Sequence, residues 1–479
     1  MQPVDFGNHW QFQRPSLPIE HNKHEADVMP TPNLSVRVPL IDFDPGFFKT
    51  MTNMRDNLLL AIPAQTLEQE IYSGSTMMKR WHMIMEPTEL KRVLLDAVDE
   101  YPKSDVTKTL LSPAIGDSLF IAEGAHWRWQ RRATAPAFAH RSVTALGPVM
   151  SDAAERACAR ITAAGPRAVD MAEEMVTTTF DVIADVTFSG DDMMDRAAVH
   201  DAIDGYITKA GRVSVLDLLG APHWAPRPGR GDAMKKLEAT KITADAAIER
   251  RQARGACDVP DLLDLLLAAE DPKSGRTMTT SELRDNLLTF IVAGHETTAQ
   301  TLAWALYLMG HDTNAQDRAR AEAQTALGGR VAGADDLASL PYIRKIIDET
   351  LRLYPAGGLL SRTAASDDTL CGTEIKKGDT VMIPVHSLGR HRDLWEEPDA
   401  FRPERFKDRK AIDRYAYLPF GDGPRVCIGA SFALQEAVII LATLLSRFRF
   451  SDVKGRTPDP KMLITLRQDG GVWMTAEPV

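Results

Sequence analysis

The stretch Phe420–Gly429, FGDGPRVCIG, sets one of only four cysteines two residues after an arginine and among closely spaced glycines. A cysteine that only fills a core gap needs no such setting. Its default reading is a small buried apolar residue, and Cys158 and Cys257 are read that way. Cys427 is different. As a metal ligand it acts as a thiolate, whose charge must be offset because a free thiol is mostly protonated near neutral pH. Gly421 and Gly423 allow a tight turn that aims backbone N–H groups at one spot. The apolar run that follows, IGASFALQEAVIILATLL, has a helical pattern. Cys427 therefore sits at or just before a helix N-terminus, where the partial positive charge favours an anion. Gly429, without a side chain, lets a flat group lie close over the first turn. Arg425 then faces away from the sulfur, placed to pair with a carboxylate on that group's edge.

A flat, carboxylate-bearing group that takes a single thiolate is haem, and thiolate ligation pushes electron density onto iron and favours O–O cleavage. FGDGPRVCIG also fills every specified position of F-x-x-G-x-R-x-C-x-G and resembles the haem-binding signature of the cytochrome P450 superfamily. The resemblance implies haem b (iron protoporphyrin IX) as cofactor. It implies Cys427 as proximal iron ligand, Arg425 as a propionate partner, Phe420 as a ring shielding the sulfur, and Gly429 in contact with the cofactor.

A second stretch, AGHETT from Ala293 to Thr298, lies in an apolar helical pattern. Gly294 weakens the helix locally and leaves room beside its axis. Glu296 and Thr297 set an acid and a hydroxyl side by side, which is costly to bury without a polar task. Proton delivery through hydroxyl, carboxylate and water is such a task. A hydroxyl bonded back to its own helix and a carboxylate reaching solvent would satisfy the same residues. The run resembles the family's A-G-x-[D/E]-T-T over the distal haem face. That implies Thr297 and Glu296 as the catalytic alcohol–acid pair and Ala293 and Gly294 as walls of the oxygen pocket, with Phe290 and Ala293 on the substrate side. His295-Glu296 opens no H-E-x-x-H zinc site, because no second histidine follows at that spacing.

Three further stretches occur in the family's order. In ETLR, Glu349 and Arg352 stand three apart on one helix face, suited to an ion pair, although ELKR at 89–92 has the same form. ETLR precedes FRPERF, Phe401 to Phe406, and then the cysteine loop, which implies a structural network of Glu349, Arg352 and Arg405. LYPAGGLLSRTA resembles the segment passing beside haem, implying a propionate role for Arg362 and substrate contacts for Leu359 and Leu360. GAHWRWQRRATAPAF resembles the family's W-x-x-x-R-R helix. Trp127 and Arg131 are four apart on one face, so both could reach one propionate, and a buried arginine is costly without an anion. Plain core packing would also explain Trp127. The HRD of His391–Asp393 is not a kinase loop, because no glycine-rich nucleotide loop and no D-F-G accompany it.

These residues need elements to hold them. SELRDNLLTFIVAGHETTAQTLAWALYLMG predicts about thirty residues of helix, apolar almost all round, through the middle of the molecule. DLASLPYIRKIIDETLRLYP predicts another, stopped by Pro355, and PTELKRVLLDAV a third with Thr88 as its cap. Strand signals are short: TEIKKGDTVMIPV turning at Gly378-Asp379, and KMLITLRQDGGVWMTAEP with Gly470-Gly471 at a hairpin tip. The expected fold is mainly α with small β-sheets, the cytochrome P450 fold with a long helix over haem. The 479 residues suffice for several domains or one large fold. No linker marks a boundary, so residues 1–44 are read as an irregular leader and 45–479 as a single domain. The leader, 103–120 and 190–260 diverge from the family, and the last two shape its substrate entrance.

The net charge of −10 argues against nucleic-acid binding and docking on anionic lipid. LTFIVAG and EAVIILATLL are too short to cross a bilayer and no signal-peptide core is visible, so a cytoplasmic location without a membrane span is expected. The resemblance implies insertion of one oxygen atom from dioxygen into a lipophilic substrate, a fatty acid, terpenoid or steroid-like compound, by hydroxylation or epoxidation. No dinucleotide fingerprint or fused redox module is seen. A ferredoxin or flavodoxin with its reductase is therefore the expected electron donor, and a monomer the expected state. An acidic carrier would need a basic patch, for which Arg128, Arg132, Arg141, Lys407, Arg409, Lys410 and Arg414 are candidates. Two other readings stand beside this one. A peroxide-driven or isomerising haem-thiolate enzyme is disfavoured by Glu296-Thr297, and a non-catalytic haem sensor would need an output module that is not visible.

Overall fold

A computed structural model describes residues 40–41, 47–76, 79–188, 205, 231–257 and 260–479 of the chain. The leader lies almost wholly outside them, as does much of 190–260. The helices are, in chain order, α1 Phe47–Asp56, α2 Pro87–Lys91, α3 Asp105–Ile115, α4 Gly124–Thr134, α5 His140–Ala145, α6 Gly147–Ala164 and α7 Met171–Phe188. There follow α8 Gly231–Arg254, α9 Leu262–Leu267, α10 Thr280–His311, α11 Thr313–Leu327, α12 Pro341–Leu353, α13 Val385–Leu388 and α14 Ala430–Arg447. The strands are β1 Ile71–Thr76, β2 Lys79–Ile84, β3 Val169–Asp170, β4 Leu360–Thr363, β5 Asp368–Leu370 and β6 Thr373–Ile375. They continue with β7 Thr380–Ile383, β8 Phe448–Asp452, β9 Asp459–Met462, β10 Leu466–Asp469 and β11 Trp473–Pro478. The fold is mainly α with small sheets, as the sequence predicts.

The central helix α10 runs for 32 residues. It opens on a reciprocal capping box in which Thr279 accepts from the Glu282 N–H and Glu282 accepts from the Thr279 N–H, so two N–H groups without helical partners are satisfied. Its apolar circumference is buried on nearly every side from Leu283 to Met309. The room left by Gly294 is taken by a neighbour: a Cβ there would lie 3.3 Å from Ile183 of α7. α14 is long and apolar enough to cross a membrane by composition, but 67% of it is buried inside the protein. It is a core helix, packed on α6, α11 and α12. Cys158 is buried and Cys257 only half-buried.

The sheets correct several local expectations. One sheet has the order β1-β2-β7-β4, with β2 and β7 parallel, Trp81 opposite Thr380. Gly378-Asp379 does supply the expected turn, and it joins β6 to a strand of another sheet. There Asp379 accepts from the Lys376 N–H at 2.8 Å and contacts buried His82 at 3.1 Å. Gly470-Gly471, at φ 89° and 80°, likewise carries the chain from the β9–β10 hairpin into the sheet β3-β11-β8. The hairpin tip is instead Leu463–Thr465, between Met462 and Leu466. Thr88 lies inside α2, whose cap is Glu86, accepting from the Glu89 N–H at 2.8 Å ahead of Pro87. Pro341 starts α12, Ala334–Ser339 being a separate 3-10 turn, and the helix ends at Leu353, before Pro355.

Candidate active site

The cysteine loop is shaped by its glycines. Gly423 has φ 69° and a Cβ there would lie 2.0 Å from the Leu94 carbonyl oxygen, so only glycine fits this turn. The Cys427 N–H donates to the Phe420 carbonyl at 2.9 Å, and Gly429 caps α14. The sulfur thus sits just ahead of a helix N-terminus. It is exposed to a cavity of about 390 Å³. Burial pushes the thiol pKa up, and the Gly429 N–H with the charges of Arg131 and Lys103 opposes that rise.

Four cations converge on one side of this cavity: Lys103, Arg131, Arg362 and Arg425. Arg425 donates to the Ala122 carbonyl at 2.7 Å, pairs with Glu123 and lies over the Trp127 ring at 4.2 Å. Arg362 is buried on β4. Burial, and then the charge of Arg425, bring its pKa down to about 10. Burial also lowers Lys103, with Arg362 and Arg425 adding to the effect. Arg131 is lowered by burial. Among the described residues Glu123 is the carboxylate that bonds into this group, with Asp99 acting on Arg425 from further off, and buried like charges are costly without further anions. A thiol on the floor beside a cationic corner fits the one-thiolate, two-carboxylate demand of haem b. Lys103 would join Arg131, Arg362 and Arg425 at the acidic edge, with Trp127 beneath Arg425. Sequence reasoning missed Lys103 and Glu123. The only local signal was an acid at the N-terminus of α4, where it complements the helix dipole.

The opposite wall is α10. Phe290, Ala293, Gly294, Glu296 and Thr297 line the cavity, and Leu359 and Leu360 close it beside β4. Phe290 packs edge-on against Phe138 at 4.9 Å. The acid and the alcohol adjoin in sequence but hold different partners. The Thr297 hydroxyl donates back to the Ala293 carbonyl at 2.6 Å. Glu296 is buried, accepting from Arg467 Nε at 2.5 Å and from the Thr465 hydroxyl. A second buried acid, Glu436 on α14, was not foreseen. It is 1% exposed, Thr298 is its hydrogen-bonding neighbour, and its Oε2 has no partner among the described residues.

Away from the cavity, Arg352 donates twice to Glu349 at 2.7 Å and to the carbonyls of Gly389 and Pro398 at 2.6 Å and of Ala400 at 2.9 Å. Arg405 reaches Glu349 at 3.3 Å. Glu349 and Arg352 are fully buried and fully partnered, which makes them a brace for the loop that leads to the cysteine. The basic candidates divide. Arg132 holds buried Asp271 through two bonds of 2.7 and 2.8 Å. Its charge is paired there while the side chain stays 31% exposed. Arg414 is bound to Asp422, Arg409 to Asp348 at 3.3 Å, and Arg128 to Asp99 at 3.2 Å. Arg141, Lys407 and Lys410 are exposed.

A family model described as Cytochrome P450 matches residues 56–474. Cytochrome P450 132 of Mycobacterium tuberculosis is 34% identical over 411 residues, spanning 82% of this chain and 87% of that protein. The cyclooctat-9-en-7-ol 5-monooxygenase of Streptomyces melanosporofaciens is 32% identical over 410 residues, 83% of this chain and 86% of its own. The cytochrome P450DA heme domain, a crystal structure, matches with a TM-score of 0.77 at 25% identity, covering 86% of this chain and 90% of that one. With a thiol, four cations and an acid–alcohol pair around one cavity, the chain belongs to the cytochrome P450 family, as a haem-thiolate monooxygenase whose cofactor is haem b.

Proposed function

We propose that the protein hydroxylates or epoxidises a lipophilic substrate, a fatty acid, terpenoid or steroid-like compound. Electrons come from a ferredoxin or flavodoxin with its reductase, and the protein works in the cytoplasm as a monomer whose residues 45–479 form one domain. The observation that carries this reading is the chamber over Cys427, walled by Leu119, Phe120, Phe138, Phe290, Leu359 and Leu360 and faced by Glu296 and Thr297. Such a wall takes an apolar molecule and excludes water from the reacting face. A similar protein is, by its name, a monooxygenase of the alcohol cyclooctat-9-en-7-ol, which supports a largely hydrocarbon substrate.

Bound haem supplies the activation of dioxygen, which with two electrons and two protons gives one oxygen atom to the substrate and one molecule of water. Cys427 contributes the thiolate. Lys103, Arg131, Arg362 and Arg425 would hold the cofactor's carboxylates, and Phe420 and Gly429 would shape the floor beside the sulfur. Thr297 holds a hydroxyl proton on the Ala293 carbonyl at the cavity wall, and turning from that carbonyl presents it to the chamber. Glu296, released from Arg467 and Thr465, is the group that replaces it. Arg141, Lys407 and Lys410 remain as exposed charges for an acidic carrier.

The test is a substrate screen by mass spectrometry with dioxygen and a reduced ferredoxin, repeated with hydrogen peroxide alone. A product one oxygen heavier that requires the donor, and is lost in Cys427→Ala together with the red-shifted Soret band of the reduced carbon monoxide complex, supports the proposal. Equal turnover on peroxide, or an isomerised product, would replace it with the peroxide-driven or isomerising reading.

A further inference from the structure

Between α3 and α4 the segment 116–123 does two things at once. Leu119 and Phe120 form part of the chamber wall, and Ala122 and Glu123 hold Arg425. Phe120 stands at the mouth, 39% exposed, with the Lys103 ammonium 3.6 Å from its ring centroid. What fixes this segment is a cluster of amides that touches neither the cavity nor the cofactor side. Asn286 on α10 and Gln130 on α4 are both 0% exposed. Asn286 Oδ1 accepts from the Leu119 N–H at 3.0 Å. Its Nδ2 donates to Gln130 Oε1 at 2.9 Å and to the Glu282 carbonyl at 2.8 Å. Gln130 Nε2 in turn donates to the Asp117 carbonyl at 3.0 Å and meets His126 at 2.7 Å. Asp285 accepts from the Asp117 N–H at 3.1 Å. Gly116, at φ 55°, has room for no Cβ, which would lie 1.8 Å from the Asp285 carboxylate.

A buried amide network with all its partners in place specifies one arrangement, because any shift leaves a donor or acceptor unpaired away from water. Asn286 lies eleven residues before Thr297 on the same helix, about 16 Å along its axis at 1.5 Å per residue. The wall is therefore measured off the helix that carries the alcohol.

We propose that Asn286 and Gln130 are the positioning residues for substrate selection. They clamp the Leu119–Phe120 wall to α10, set the width of the chamber mouth, and tie that width to the Arg425 side of the cofactor. The proposal rests on the monooxygenase reading only in taking this cavity as the substrate chamber. Neither side chain touches substrate; both act through Leu119 and Phe120.

The test uses the ferric holoprotein with two probes that bind haem iron, imidazole and the bulkier 4-phenylimidazole, titrated by absorption. Asn286→Ala and Gln130→Ala are compared with Phe120→Ala and with the double variant Asn286→Ala/Phe120→Ala. The expected result is a change of about tenfold in the ratio of the two dissociation constants, the worth of one buried hydrogen bond. No further change is expected when Asn286→Ala is added to Phe120→Ala. Amide exchange of the peptide covering 116–122 should be slow in the wild type and fast in Asn286→Ala. Both probes moving together, additive effects in the double variant, or fast exchange in the wild type would overturn the clamp. The thiolate-type Soret band of the carbon monoxide complex, recorded for every variant, separates that failure from failure of the haem assignment.

Discussion

Glu436 offers a quantitative check of the buried architecture. Its carboxyl lies between α14 and α10 with an unpartnered oxygen, and burial raises its pKa from 4.5 to about 8, with the Thr298 hydroxyl acting weakly the other way. In the unfolded chain the group ionises near its ordinary value. Between those two pKa values the folded state therefore holds about one more proton than the unfolded state, so stability is greatest at low pH and falls as pH rises, levelling off above about 8. Each pKa unit is worth about 1.4 kcal/mol. From about pH 5 to about pH 8 this one residue removes about 4 kcal/mol, a large part of a typical net stability of about 5–15 kcal/mol. Glu436→Gln keeps the shape and a partner for Thr298 but does not titrate. Urea unfolding of both holoproteins at several pH values, followed by tryptophan fluorescence and Soret absorption, gives the difference between them, in which other titrating groups cancel. That difference should move in favour of Glu436→Gln by about 4 kcal/mol over this range. A difference that stays constant with pH, or moves the other way, refutes a protonated acid at this position.

Arg352→Ala strands the buried Glu349 carboxylate and should cost about 3–5 kcal/mol, read as a lower thermal midpoint and less haem retained on purification. Arg405→Ala, which removes a longer contact of 3.3 Å, should cost clearly less. Thr297→Ala should leave substrate affinity unchanged and lower product formed per dioxygen consumed by about tenfold, measured with an oxygen electrode and product analysis. Charge reversal at Lys407 and Lys410 should slow reduction by an acidic carrier in stopped flow, with the effect shrinking at high salt. Arg132→Glu should instead lower the thermal midpoint, because it sets a second carboxylate against buried Asp271.

What was legible in the sequence was what chemistry demands locally. The cysteine loop needs its glycines and arginine within ten positions, and α10 announces itself by length and apolarity. Glu349 and Arg352 were readable because three residues is a helical contact distance. What was not legible depends on partners far along the chain. Gly378 and Gly470 do mark turns, but no local feature says whether the next strand returns to its neighbour or enters another sheet. Arg132 looks like a solvated charge until Asp271, 139 residues away, closes on it. Lys103 and Glu123 are single charges in a loop, and only their meeting with Arg362 and Arg425 gives them meaning. Glu436 did carry a signal, a lone acid inside IGASFALQEAVIILATLL, that could have been weighed as a buried group.

The parallel pairing of Trp81 with Thr380 has a consequence for the life of the chain before it is folded. The partner of β2 is made about 300 residues later, which at about 5–20 residues per second means about 15–60 s of synthesis. Throughout that interval the β1–β2 ribbon presents an open edge, the kind of surface on which nascent chains aggregate and which holdase chaperones cover. The chamber itself needs both Lys103 and Thr465. Its cofactor therefore joins a polypeptide already made through Thr465, and in cells the supply of haem and the protection of that early edge set the yield of active protein together.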